Sequence, residues 1–149
     1  MTEAPGIAAV AHVIQLSVAP VFLLSGLGAM LMVMTNRLAR VVDRARVLEA
    51  KLSVDTPTPA PIHAELSTLA RRAKLVSGAI TLCTVTSLLV CAVIATLFLG
   101  DFIAFDVSLV VAMLFLASMA TFFVALVLFL REILLAAGSL HIGHPQIGP

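Results

Sequence analysis

Three stretches of this chain contain no Asp, Glu, Lys or Arg: Ala4 to Asn36 is 33 residues, Leu75 to Gly100 is 26, and Val107 to Leu130 is 24. A helix needs about 20 apolar residues to cross the hydrocarbon of a bilayer, and each stretch exceeds that. Only 11% of the residues are charged and 61% are hydrophobic, where a soluble domain carries about 25% charged residues. A water-soluble globule is excluded. The expected architecture is an all-α membrane protein, one integral-membrane domain over 1–149. Its three transmembrane helices fall at about 10–36, 75–99 and 107–130. A cytoplasmic amphipathic helical hairpin, 37–74, joins the first and second, and a tail, 137–149, follows the third.

Orientation follows from where the nine basic residues fall. Arg37, Arg40, Arg44, Arg46, Lys51, Arg71, Arg72 and Lys74 lie between spans one and two, and Arg131 follows span three. The opposite side receives only acids: Glu3, Asp101 and Asp106. The net charge of +1 hides this asymmetry, because 37–74 alone carries eight basic against four acidic residues, or +4. Lys and Arg collect on the cytoplasmic side of membrane proteins, so the hairpin and the C-terminus are expected inside and the N-terminus outside. A cleaved signal peptide would need a basic n-region. No Lys or Arg precedes Arg37, so the first span is expected to remain.

Within span one, Pro20 removes a backbone donor, and a kink is expected there. Ser25, Gly26, Gly28 and Ala29 form a small-residue patch where another helix backbone could approach, either from spans two and three or from a second copy. Cys83 and Cys91, eight residues apart, are too distant along one helix to bridge and read as small buried hydrophobes. The hydroxyls of Ser77, Thr81, Thr84, Thr86, Ser87, Thr96, Ser118 and Thr121 are expected to bond their own preceding carbonyls or a neighbouring helix.

Beyond Asn36 the helical pattern continues, since Leu38, Val41, Val42, Ala45, Leu48 and Leu52 recur at three- and four-residue spacing. Helix one should therefore run on past the membrane. The segment SVDTPTPAP breaks it with alternating prolines. From about His63 a second amphipathic pattern, Leu66, Leu69, Ala70, Ala73 and Val76, leads into span two. An antiparallel register aligns Leu48 with Leu66, Ala45 with Leu69, Val41 with Ala73 and Asp43 with Arg71. The same amphipathicity would also let each segment lie flat at the headgroups.

The most distinctive stretch is RLARVVDRARVLE. Arg37, Arg40 and Arg44 share a face, while Asp43 lies three residues from both Arg40 and Arg46, so intrahelical pairs are available. Arg outnumbers Lys seven to two. The Arg fork suits carboxylates and phosphates, although a GC-rich genome gives the same bias. Arg131 and Glu132 end span three at the depth of Arg37 and Arg40, so an ion pair tying helix three to helix one is expected. Its strength should fall between a surface pair and a buried one, about 1–3 kcal/mol. His141 and His144 sit on a Gly- and Pro-rich tail without carboxylate or Cys partners and make no metal site.

At IQLSVAPVFLLSGLGAMLMVMTNRLARVVDRARVLE the chain resembles a family of small bacterial membrane proteins known only as domain of unknown function twenty-seven twenty-one. The resemblance rests on Gln15, Ala19 to Leu24, Arg37 to Arg46, Leu69 to Arg72 and Phe129 to Glu132, and covers about residues 12 to 136. It implies a three-span inner-membrane protein with a cytoplasmic hairpin, and no activity.

No nucleophile elbow, P-loop, dinucleotide fingerprint or HExxH occurs. No charged residue lies within the spans, which argues against a proton-coupled carrier. Without Trp or Tyr, and with no aromatic residue in 37–74, nucleic-acid binding has no support. The expected role is non-enzymatic, with no cofactor. The protein would be a scaffold or accessory subunit in the lipid bilayer whose basic hairpin binds a cytoplasmic protein or anionic lipid. The alternative is a homo-oligomeric ion channel with Asp101 and Asp106 as an acidic outer ring.

Overall fold

A computed structural model describes residues 5–52, 60–103 and 107–138, all of them helical except Val107. Helix α1 is Pro5–Leu52, α2 is Ala60–Ile103 and α3 is Ser108–Gly138. Each contains a segment apolar enough to cross a membrane, with mean hydropathy of 2.1, 2.5 and 2.6 in turn. At 1.5 Å per residue, α1 is about 72 Å long and α2 about 66 Å, roughly twice the hydrocarbon thickness of about 30 Å. The first two helices are therefore far longer than their charge-free runs require.

Helix α1 continues through Asn36 to Leu52 as the three- and four-residue spacing indicates, and it passes through Pro20 without interruption. Helix α2 starts earlier than the hydrophobic pattern suggests, at Ala60 rather than near His63. Pro61 explains the difference, because proline is accepted in a helix's first turn, where backbone donors lack partners anyway. The expected proline turn at 53–59 and the tail histidines His141 and His144 lie outside the described residues. So does Asp106, and nothing of the Asp101 side chain is described.

Buried positions recur every seven residues along each helix. On α1 they are Val13, Pro20, Leu27, Met34, Val41 and Leu48, with Ser17 also buried between the first two. On α2 two interleaved series appear, Leu69, Val76, Cys83 and Val90 beside Ala79, Thr86 and Val93. On α3 the series is Ser118, Ala125 and Glu132. A seven-residue repeat is the signature of helices packed knobs-into-holes along a seam.

The contacts group into two compact units, one of residues 1–33 with 81–124 and the other of 34–80 with 125–149. In the first, Val13, Leu27, Cys83, Val90 and Val93 are buried, whereas Phe22 and Leu109 are each 74% exposed. Apolar side chains so uncovered suit a hydrocarbon surrounding better than water. Ser25, Gly26, Gly28 and Ala29 are exposed, and a Cβ added at either glycine would meet nothing within 4 Å. Packing of this small-residue patch against spans two and three is therefore corrected. Gly26 and Gly28 flank the buried Leu27, and one residue's step of about 100° carries each off the seam. Cys83 is buried, but Cys91 is exposed, contrary to the reading of both as buried hydrophobes.

In the second unit Val41, Leu48 and Leu69 form a hydrophobic cluster, with Ala45, Ile62, Leu66 and Ala73 packed against it. Apart from Ile62, these are the apolar residues that the antiparallel register brings together. The segments of α1 and α2 beyond the charge-free runs thus spend their apolar faces on each other.

Candidate functional site

The site is built from residues on and beside the seam of the second unit. Arg72 lies seven residues before Ala79 and Glu132 seven after Ala125, so both occupy core positions of the heptad pattern. Glu132 is fully buried, at 0% exposure. Its Oε1 accepts hydrogen bonds from Arg72 Nε at 3.2 Å and Nη2 at 3.0 Å. Its Oε2 lies 3.3 Å from Arg37 Nε, close enough for an ion pair, but no hydrogen bond of good geometry reaches that oxygen. Arg37 thus contributes attraction without the directional bond that Arg72 makes. The Arg37 guanidinium also lies over the Phe129 ring, 5.6 Å from its centroid, within the range of a cation–π contact.

Further along α1, Arg44 donates from Nε at 3.1 Å and Nη2 at 2.9 Å to Glu65 Oε1. Between these two anchors, Arg37, Arg40, Val41, Arg44, Leu69 and Arg72 line an open cleft of about 530 Å³. Four guanidiniums face it, and the carboxylates that hold three of them are two, Glu132 and Glu65, leaving a surplus of two positive charges. Arg40 makes no ion pair among the described residues. The cleft therefore presents one uncommitted fork among three braced ones, an arrangement fit to receive an anion.

The structure brings Glu132 together with Arg37, and with Arg72 as well, which the sequence reading did not foresee. Arg40 does not join them. The cross-segment pair is Arg44 with Glu65 rather than Asp43 with Arg71. Asp43 is two residues past the buried Val41 and Arg71 two past the buried Leu69, about 200° around each helix, so both turn away from the seam. Arg44, three residues past Val41, stays beside it. Asp43, Arg46 and Arg71 are exposed, and Asp43 makes no ion pair with Arg40 or Arg46. Arg71 and Arg131 line a separate cleft with Leu75, Leu134 and Leu135. In the first unit, Pro20 lines an apolar groove of about 670 Å³ with Ala19, Val93, Val107 and Phe115 among others.

A family model described as "Protein of unknown function (DUF2721)" matches residues 17–142. No curated protein and no solved structure matches the chain. The matched span contains both arginine clefts and the Glu132 pair and takes in well over half of the residues, so this chain belongs to the DUF2721 family.

Proposed function

We propose that this is a non-enzymatic multi-pass protein of the bacterial inner membrane, acting as a scaffold or accessory subunit whose basic cytoplasmic segment binds an anionic group. The observation that carries the reading is the cleft of Arg37, Arg40, Arg44 and Arg72 with its two surplus positive charges. The charge asymmetry supports an outer N-terminus, with 37–74 and the C-terminus in the cytoplasm. The cluster of Val41, Leu48 and Leu69 supports a hairpin that projects from the membrane, because its apolar faces are already covered and have little left to lay against lipid.

A homo-oligomeric pore would need polar side chains turned toward a shared axis. The hydroxyls of Thr86, Thr96, Ser118 and Thr121 instead donate to carbonyls of their own helices. The exposed Gly26 and Gly28 face still supports self-association.

Cross-linked membranes carrying the wild type, Arg40→Gln with Arg44→Gln, or Arg46→Gln test the cleft. Its bound partner or anionic lipid is expected to be lost from the double variant and kept by Arg46→Gln, which lies outside the cleft. An unchanged profile in the double variant overturns the reading. Labelling of Thr58→Cys only from the cytoplasm and of Ala104→Cys only from outside checks the orientation.

A further inference from the structure

Two adjacent pairs, Arg71-Arg72 on α2 and Arg131-Glu132 on α3, split in opposite directions. Arg72 and Glu132 turn inward to each other. Their neighbours Arg71 and Arg131 turn outward and line one cleft of about 400 Å³, floored by Leu75, Leu134 and Leu135. The buried pair fixes the register of the two helices, and that register brings the outer arginines to the same place. No carboxylate lines this cleft, and neither Arg71 nor Arg131 makes an ion pair among the described residues. Two like charges thus line one cleft with no carboxylate beside them among the described residues, whereas three of the four arginines in the first cleft are already paired.

We infer that the Arg71 and Arg131 cleft is a binding site for one anionic glycerophospholipid, its phosphodiester held by the two guanidinium forks and its glycerol backbone resting on the leucines. The inference rests on the membrane reading above, and on a face distinct from the proposed partner cleft. Three features favour this occupant. The forks match phosphate oxygens. Leu75 begins one charge-free run and Arg131 directly follows another, which sets the cleft at headgroup depth, where basic pockets between membrane helices meet anionic lipid. The leucine floor suits a ligand that is apolar on one side, which free phosphate is not.

Native mass spectrometry of the full chain in a nonionic detergent, titrated with phosphatidylglycerol or phosphatidylcholine, reads the site directly. The wild type is expected to retain one phosphatidylglycerol with about a tenfold preference over phosphatidylcholine. Arg71→Gln with Arg131→Gln should abolish that preference, and Arg46→Gln, which lines neither cleft, should leave it intact. Retention of the preference in the double variant overturns this site. Arg71→Lys with Arg131→Lys keeps the charge and the topology signal while removing the forks. It should reduce the preference about threefold, and full retention overturns the fork clamp. Inorganic phosphate at about 10 mM is expected not to displace the lipid; complete displacement overturns the commitment to a lipid.

Discussion

In residues 1–33 with 81–124 the buried polar side chains are Ser17, Thr86 and Ser118, and each donates to a carbonyl three or four residues earlier in its own helix. In 34–80 with 125–149 the buried polar side chain is Glu132, held by arginines of both other helices. These three buried side chains of the first unit are satisfied locally, so none of them tells one helix where to sit against another, and register at those positions rests on shape. The second places a charge at a core position that only one register can neutralise. A polar residue at a coiled-coil core position is the best-attested device for fixing register, at a cost in stability.

The largest effect should come from breaking that device. Removing one partner of a buried ion pair costs about 3–5 kcal/mol because a charge is left stranded. Here the stranded groups would be Arg37 and Arg72, 31% and 19% exposed, which recover some hydration. Glu132→Ala is therefore expected to destabilise the protein by about 3 kcal/mol, the upper end of the range read from sequence, as measured by unfolding in mixed micelles. Double-mutant cycles should give a larger coupling for Glu132 with Arg72 than with Arg37, because only Arg72 makes directional bonds. Additive effects of Glu132→Ala and Arg72→Ala would remove the contrast between the units.

Next comes the shape-based seam of the first unit. Leu27 is 1% exposed, and Leu→Ala changes in soluble cores cost about 2–5 kcal/mol through transfer and cavity terms together. In lipid the transfer term vanishes, since acyl chains are as apolar as leucine, and the lost packing remains. Leu27→Ala should cost about 2 kcal/mol in the same assay, and Phe22→Ala, on the exposed face, close to nothing. Equal losses at the two positions would mean that the seven-residue seam does not carry the packing.

What was legible in the sequence was local. Charge-free runs gave the three helices, and the spacing of Val41, Ala45 and Leu48 carried α1 past Asn36, because both signals need only the chain's own neighbours. The partner of Glu132 was not local. Arg72 is 60 residues away, and placing it requires the seam of α2, marked by Ala79, Thr86 and Val93 at sevens, a repeat that small and polar residues make hard to see among so many apolar ones. The same missing seam let Asp43 and Arg71 be paired when both point away. It also left the small-residue patch open between the neighbouring spans and a second copy, when Gly26 and Gly28 face outward.

A smaller effect separates the two ion pairs of the second unit from each other. Arg44 and Glu65 are 53% and 44% exposed, and surface pairs are worth about 0–1 kcal/mol and weaken with salt. Glu65→Ala should cost about 0.5 kcal/mol and less at 1 M salt, while the Glu132→Ala penalty should hardly change. Matching salt dependence for both would mean that Glu132 is reached by water.

The smallest effect lies where the first unit most resembles the second on burial alone. Ser118 is as fully buried as Glu132, at 0% exposure, and burial of a polar group alone would assign it a comparable penalty. Its hydroxyl donates to the Phe115 carbonyl at 2.7 Å, a carbonyl already served by the backbone of its own helix, so removing the hydroxyl leaves no acceptor without a donor. Measured side-chain hydrogen bonds between membrane helices average only about 0.6 kcal/mol, and one closed within a single helix should contribute less to packing. Ser118→Ala is expected to change stability by about 0.5 kcal/mol or less in either direction, the methyl filling nearly the same space. A loss above about 1.5 kcal/mol would show that the hydroxyl ties α3 to a neighbouring helix, and the first unit would then fix its register by polar contact as the second does.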